Sequence, residues 1–403
     1  MRLRIAAALL MTAASYTATQ AQETEGKPRY NHIVSAGVGH GKMLQTNDFL
    51  RGDNALGRPM ERQTSCRLAF GWQTTGCKEW EIAHRLPSFG IGVSTFWLDN
   101  RDEMGQPISL FGYYDGVFWR HGAHALRYNI EMGVGTHWKE YDRESNPNNI
   151  AIGSGVTVHI GVGLGYAYTI ADRWIVSLGA GVNHFSNGAL RKPNKGLNLF
   201  SGQMRVAYLL RDNRLPRELP TVEKRKGNEI DITLGYGRRQ YEVDPFDYPD
   251  VDDEYDPRSK FNAITIQTTF LHSYSTKGKY GGGLSLLYDE YMGSTVDAAE
   301  DGRAIIGHGP THKRFALGVL ASHEFCIARL GIVTQLGYYL IRPTDIVPKQ
   351  RKEPLFQRAG LKYTFACNIH AGLNIYAHRL SVADFIEWNV GYSLPLKRKN
   401  SSL

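Results

Sequence analysis

The sequence predicts an all-β chain: a transmembrane antiparallel β-barrel, internally duplicated into about 8 + 8 strands. Three observations predict it. Apolar residues alternate with small or polar ones over segments of similar length along most of the chain. Strand side chains point to opposite faces with period two, so such a segment is greasy on one face only. The 43 glycines and 22 tyrosines, with 11% aromatic residues, suit a barrel with aromatic girdles better than a helical protein. Finally, the pattern restarts midway. EIDITLGYG at 229–237 echoes HIVSAGVGHG at 32–41, and AGLKYTFACNIHAGLNIYAH at 359–378 echoes VGLGYAYTIADRWIVSLGAGVNHFS at 162–186, which is the mark of an internal repeat.

At the N-terminus, Arg2 and Arg4 precede a short apolar run and a small-residue site ending at Ala21. This is the layout of a cleaved signal peptide over 1–21, so the chain is expected to be exported. That run is too short to span a bilayer as a helix, and no later stretch approaches the roughly 20 apolar residues a spanning helix needs.

A first barrel unit is expected over 30–211. Its strands fall near 30–42, 66–73, 86–98, 107–119, 123–137, 155–169, 174–186 and 198–211, each close to the roughly 9–11 residues that cross a bilayer at a tilt. The segment 156–168 is the clearest, with Val156, Val158, Ile160, Val162, Leu164, Tyr166 and Tyr168 on one face. If the N-terminus starts on the periplasmic side, the long connections 43–65, 99–106, 138–154 and 187–197 lie outside, as barrels of this kind prefer. The connection 74–85 is longer than that threading favours.

Residues 212–227, DNRLPRELPTVEKRKG, are polar, carry prolines and do not alternate; they read as a linker. A second, degenerate barrel repeat is expected over 228–396, with the linker favouring two tandem barrels over one larger barrel. It has His378-Arg379-Leu380 where the first has His184-Phe185-Ser186, so it lacks the hydroxyl and reads as catalytically silent. The acidic segment 242–257 reads as a solvated rim loop, with divalent-cation binding as the sharper alternative; it lacks the calcium-loop spacing. The chain ends in KRKNSSL rather than an aromatic residue. Four cysteines, Cys66, Cys77, Cys326 and Cys367, show no metal-binding spacing, although an oxidising compartment would let them pair. The net charge of +8 suits contact with anionic lipid phosphates rather than a dedicated nucleic-acid surface.

The candidate site lies in 174–208. Trp174, Val176, Leu178, Ala180 and Val182 form one apolar face, and His184 and Ser186 continue the same even register. In the returning strand, Asn198 shares the face of Phe200, Met204, Val206 and Tyr208. A hydroxyl, an imidazole and an amide therefore project from a hydrophobic wall, where polar groups are costly. Ester hydrolysis by serine needs a base near the hydroxyl, a group to orient that base, and donors for the oxyanion. Ser186 supplies the hydroxyl, His184 the base and Asn198 the group that orients it. Asn187, Asn194 or the Gly188 amide could serve the oxyanion, and Arg191, Lys192 and Lys195 could meet a lipid phosphate.

HFSNG, followed by PNKG with Asn194 ten residues after the histidine, resembles the lipid A 3-O-deacylase family of Gram-negative outer membranes. The resemblance covers roughly residues 30–211. It implies an outer-membrane ester hydrolase acting on lipid A of lipopolysaccharide, with His184 as general base, Ser186 as nucleophile and Asn187 and Asn194 in support. It implies no metal and no cofactor. One departure is that the family's third triad member is a glutamate fourteen residues after the histidine, where this chain has Asn198. Asparagine at that spacing is similar to outer membrane phospholipase A, with its Ser-His-Asn triad, its calcium and its unduplicated twelve-strand barrel. The alternatives are thus a phospholipase acting on outer-membrane lipids, or a non-catalytic barrel that binds lipopolysaccharide or forms a pore. Oligomeric state is not legible.

Overall fold

The structure, a computed structural model, describes residues 29–211, 219–222, 226–240, 260–298, 304–343, 354–378 and 382–396. The expected signal peptide, the acidic segment 242–257, the terminal KRKNSSL, Arg379, Leu380 and most of the expected linker lie outside the described residues.

Two closed antiparallel barrels follow one another along the chain. The first is built from β1 (Tyr30–Met43), β2 (Arg62–Thr74), β3 (Ser88–Leu98) and β4 (Gly105–His121). It continues through β5 (His124–Trp138), β6 (Thr157–Ile170), β7 (Trp174–Ser186) and β8 (Leu197–Leu209), and closes where β8 pairs with β1. Three short helices sit in its connections: α1 (Asp48–Arg51), α2 (Glu79–Ala83) and α3 (Arg101–Met104).

The second barrel starts with β9 (Gly227–Gln240), β10 (Lys260–Ser275) and β11 (Gly278–Asp289). A separate hairpin of β12 (Thr295–Ala298) and β13 (Ala304–Gly307) follows. Then come β14 (Phe315–Ile327), β15 (Leu330–Ile341), β16 (Leu355–Thr364), β17 (Ile369–His378) and β18 (Val382–Leu396), which pairs back onto β9. The expected tandem arrangement is therefore the one found. The hairpin is an addition that strand counting had not anticipated.

The period-two pattern fixes which residues face out. In β7, Leu178 is 61% exposed while its neighbour Ile175, of opposite parity, is 5% exposed. The exposed apolar set, including Leu68, Leu110, Leu164 and Trp388, is the sheath a hydrocarbon layer covers. An eight-strand barrel is just wide enough for its interior to be filled by side chains, and polar ones fill both here. In the first lumen Arg67 donates to Glu131 at 2.9 Å, and Arg205 reaches Asp115 and Glu131, each at 3.5 Å. In the second, Arg358 pairs with Glu387, and Lys362 pairs with Asp231 at 3.3 Å and with Glu324 at 2.5 Å. Each of these lumen charges finds an opposite partner, which offsets the desolvation cost of its burial.

The four cysteines are all free rather than paired. The long connection after β2 has a structural use. It carries α2, and His84 just beyond it bonds through Nε2 to the Cys326 carbonyl of β14 at 2.8 Å while its ring meets Phe325 edge-on at 5.2 Å. The extra length joins the two barrels. The alignment of His378 with His184 fails on parity: His378 is buried inside the second barrel, bonded to Asp384 and to Tyr339. No helix among the described residues is long and apolar enough to cross a membrane.

Candidate active site

The outward direction of the candidate site is set by its apolar neighbours. Phe185 is fully buried and packs edge-on against Phe96 and Trp138, at 5.2 and 5.1 Å, and stacks on His159 at 4.7 Å. With Phe185 locked inside, strand alternation puts His184 and Ser186 on the outer face. Leu197 and Leu199 are likewise fully buried and turn Asn198 outward. All three belong to an apolar plug at this end of the lumen that also takes in Met43, Phe49 and Met60. On the outer face, β6 places Ile160 opposite His184 and Val158 opposite Ser186.

His184 and Asn198 are register partners across β7 and β8, so their side chains stand side by side. His184 Nδ1 lies 2.7 Å from Asn198 Oδ1. An imidazole that donates from Nδ1 keeps Nε2 as its proton acceptor. The Ser186 hydroxyl receives two donors: the Asn194 side-chain amide at 2.8 Å and the Gly188 backbone N–H at 3.2 Å. The Asn187 N–H donates to Asn194 Oδ1 at 3.3 Å, which turns the Asn194 NH₂ toward Ser186. His184 and Ser186 share no hydrogen bond among the described residues; two strand residues on one face stand roughly 7 Å apart by backbone rise. Such catalytic contacts are often long until substrate arrives.

The sequence-predicted residues thus divide. His184 meets Asn198, and Ser186 meets Gly188 and Asn194, as two neighbouring groups at one end of β7. The Asn187 side chain turns away and donates to the Arg191 carbonyl at 2.8 Å, shaping the loop rather than facing the hydroxyl. Arg191 is paired with Glu140 at 2.9 Å, with both side chains partly exposed. Lys192 has its N–H on Gln240 Oε1 at 3.1 Å, and its charge acts on Asp384 of the second barrel. The Lys195 N–H is held by the Ile150 carbonyl at 3.0 Å, and its side chain is exposed. No group of three or more His, Cys, Asp or Glu side chains is arranged to hold a metal among the described residues.

A profile of the family described as lipid A 3-O-deacylase (PagL) matches residues 65–207, the stretch that contains the whole constellation. A second, described as the acyloxyacyl hydrolase C-terminal domain, matches residues 228–398. The first barrel belongs to the lipid A 3-O-deacylase family. Among solved structures, it is similar to the outer membrane enzyme PagL at 15% identity, over 43% of this chain and 97% of that one, with a TM-score of 0.30. Neisserial surface protein A follows at 12% identity, over 44% of this chain and 97% of that one, with a TM-score of 0.30. A Rhodopseudomonas blastica porin is 9% identical over 91% of this chain and all of its own, with a TM-score of 0.18. No curated protein matches.

Around this deacylase-family barrel, sequence reasoning missed three participants. Gly196 has φ +74°, and a Cβ there would lie 3.1 Å from His184 Cε1. Its backbone forms one wall of the imidazole's slot, and the glycine in PNKG was the available signal. The other two, Gln240 and Ile386, come from the second barrel. Gln240 N–H donates to the Ala189 carbonyl at 3.2 Å, and Ile386 lies against Gly188, where an added Cβ would meet Ile386 Cγ1.

Proposed function

We propose that the first barrel removes the 3-O-linked acyl chain from lipid A in the outer membrane, with Ser186 as nucleophile, His184 as general base and Asn198 as the residue that orients His184. In this reading the Ser186 Oγ bonds to the ester carbonyl carbon while its proton passes to His184 Nε2. The Gly188 N–H and the Asn194 amide, already aimed at Oγ, are at hand for the negative charge that develops on the carbonyl oxygen. Collapse breaks the bond to the sugar oxygen, which takes the proton from His184 and leaves as the free 3-hydroxyl. Water, deprotonated by His184, then attacks the acyl-serine and releases the fatty acid. Of the loop cations, Arg191 is engaged by Glu140 and Lys192 acts on Asp384, and in this reading the exposed Lys195 faces a lipid phosphate.

One observation carries the reading: the hydroxyl, its two donors and the oriented imidazole all stand on the wall where the exposed apolar side chains are. A substrate with its ester at the membrane surface meets them there directly. The Asn198 amide favours a second reading, a phospholipase A-like hydrolase of glycerophospholipids that uses calcium.

The test is mass spectrometry of lipid A and phospholipids from Gram-negative cells making the protein or its Ser186→Ala variant. The proposal expects lipid A lighter by one acyl chain with the parent protein only, and without dependence on calcium. Lysophospholipid products that need calcium would favour the second reading. Identical lipids from both strains would contradict either.

A further inference from the structure

The loop that carries Gly188 and Asn194 does not stand on the first barrel alone. Its residues Gly188, Ala189 and Lys192 meet the rim of the second barrel, where β9 ends and β18 begins. Three contacts cross the gap. Gln240 gives its backbone N–H to the Ala189 carbonyl at 3.2 Å. Its side-chain carbonyl accepts the Lys192 N–H at 3.1 Å. Ile386 sits on the outward parity of β18 yet is only 8% exposed, because it packs against Gly188. Trp388 and Val390, next on that face, are 64% and 50% exposed.

The rim that makes these contacts is stiff. β9 and β18 are paired, with Arg238 opposite Ile386. Arg239 holds Asp384 at 2.9 Å and lies 4.1 Å over the Tyr291 ring. Asp384 is also held by His378, which in turn bonds Tyr339 at 3.3 Å. Gln240 and Ile386 therefore project from a fixed base onto a loop that begins one residue after Ser186. The Gly188 N–H on the Ser186 hydroxyl belongs to the very residue Ile386 covers.

We infer that the second barrel is a working part of the hydrolase: Gln240 and Ile386 are positioning residues that hold the 188–192 loop so that the Gly188 N–H and the Asn194 amide stay aimed at Ser186. This rests on the reading of Ser186 as nucleophile. It gives the second barrel a task on the active site of the first. Their effect falls on donors that matter most in the transition state, so it belongs in kcat rather than in substrate binding.

The experiment uses the full-length chain in outer-membrane vesicles and measures lipid A deacylation for Gln240→Leu, Gln240→Glu, Ile386→Ala and Ser186→Ala. Heat-modifiable gel mobility and the urea midpoint report folding of each variant. The inference expects kcat about tenfold lower in Gln240→Leu and Ile386→Ala with KM within about twofold, since small misplacements of catalytic groups cost of that order or more. Gln240→Glu keeps a carbonyl-type acceptor for the Lys192 N–H and is expected to stay within about twofold of the parent. Because the two sites lie on different strands, a folding failure in one variant leaves the other to decide. Parental kcat in the folded Leu and Ala variants, beside an inactive Ser186→Ala, would overturn the inference and leave the nucleophile standing. Gln240→Glu as impaired as Gln240→Leu would also overturn it. An active Ser186→Ala would remove the nucleophile reading, and this inference with it.

Discussion

His184 Nδ1 and Asn198 Oδ1 lie 2.7 Å apart across a single register pair of β7 and β8. This contact decides which imidazole nitrogen can act as base, and it is made by an amide. An amide fixes the tautomer, whereas a carboxylate would also stabilise the imidazolium formed in the reaction. Asn198→Leu is therefore expected to lower kcat at least tenfold. Asn198→Glu is expected to match or exceed the parent rate, with pH–rate profiles reporting the basicity of His184. A Leu variant at parental rate would remove Asn198 from the mechanism.

Gly196 bears on the other side of the same ring. Its φ of +74° costs a residue with a Cβ about 1–2 kcal/mol, and the added methyl would sit 3.1 Å from His184 Cε1. Gly196→Ala is expected to cut deacylation severalfold or more while the barrel still folds, as judged by gel mobility. Unchanged turnover would mean that the slot around His184 is loose.

Acid should loosen the junction made by His84. Burial, helped by the nearby Lys277 charge, pushes its imidazole down to about 4 from 6.5, although the Cys326 carbonyl bond pulls the other way. The unfolded chain binds a proton there more readily than the folded one, so stability falls as pH drops from about 6.5 toward 4, by roughly 3 kcal/mol at the end of that window. Urea midpoints at pH 7 and pH 4.5 should differ for the parent and differ less for His84→Gln, which retains an N–H donor for Cys326. Equal pH dependence in the two proteins would contradict this account of the junction.

Two ion pairs of equal length should differ in their worth. Arg67–Glu131 and Arg191–Glu140 both measure 2.9 Å, but the first pair is 9% and 5% exposed and the second 51% and 37%. Glu131→Leu strands Arg67 and deprives Arg205 of a partner in the lumen, at a cost of about 3–5 kcal/mol. Glu140→Leu is expected to change stability by less than about 1 kcal/mol. Denaturant titration of both variants, read by gel mobility, makes the comparison.

Much of this was legible in the chain, for a local reason. Alternation is a property of successive residues, so β6 and β7 could be read with their outward faces, and the parity of His184, Ser186 and Asn198 came with them. The burial of Phe185, Leu197 and Leu199 that enforces this parity follows from the same pattern. What misled was the letter match between the repeats. Alternation runs unbroken through β17, with His370, Asn374, Tyr376 and His378 all on the buried set, so His378 faces the lumen where His184 faces out. Contacts between barrels leave no periodic trace at all. Nothing in the letters around Gln240 or Ile386 says that they meet Ala189, Lys192 and Gly188, and only the odd length of 74–85 hinted that the first barrel reaches for the second.

The central claim is that Ser186 is a nucleophile activated by His184 on the outer wall of the first barrel. Covalent labelling tests it most directly: the protein in detergent micelles is treated with a long-chain alkyl fluorophosphonate, and the adduct is mapped by peptide mass spectrometry. The account predicts one adduct on Ser186, strongly reduced in His184→Gln. A Ser186 that stays unlabelled while the protein deacylates lipid A, or an adduct that forms equally without His184, would contradict it.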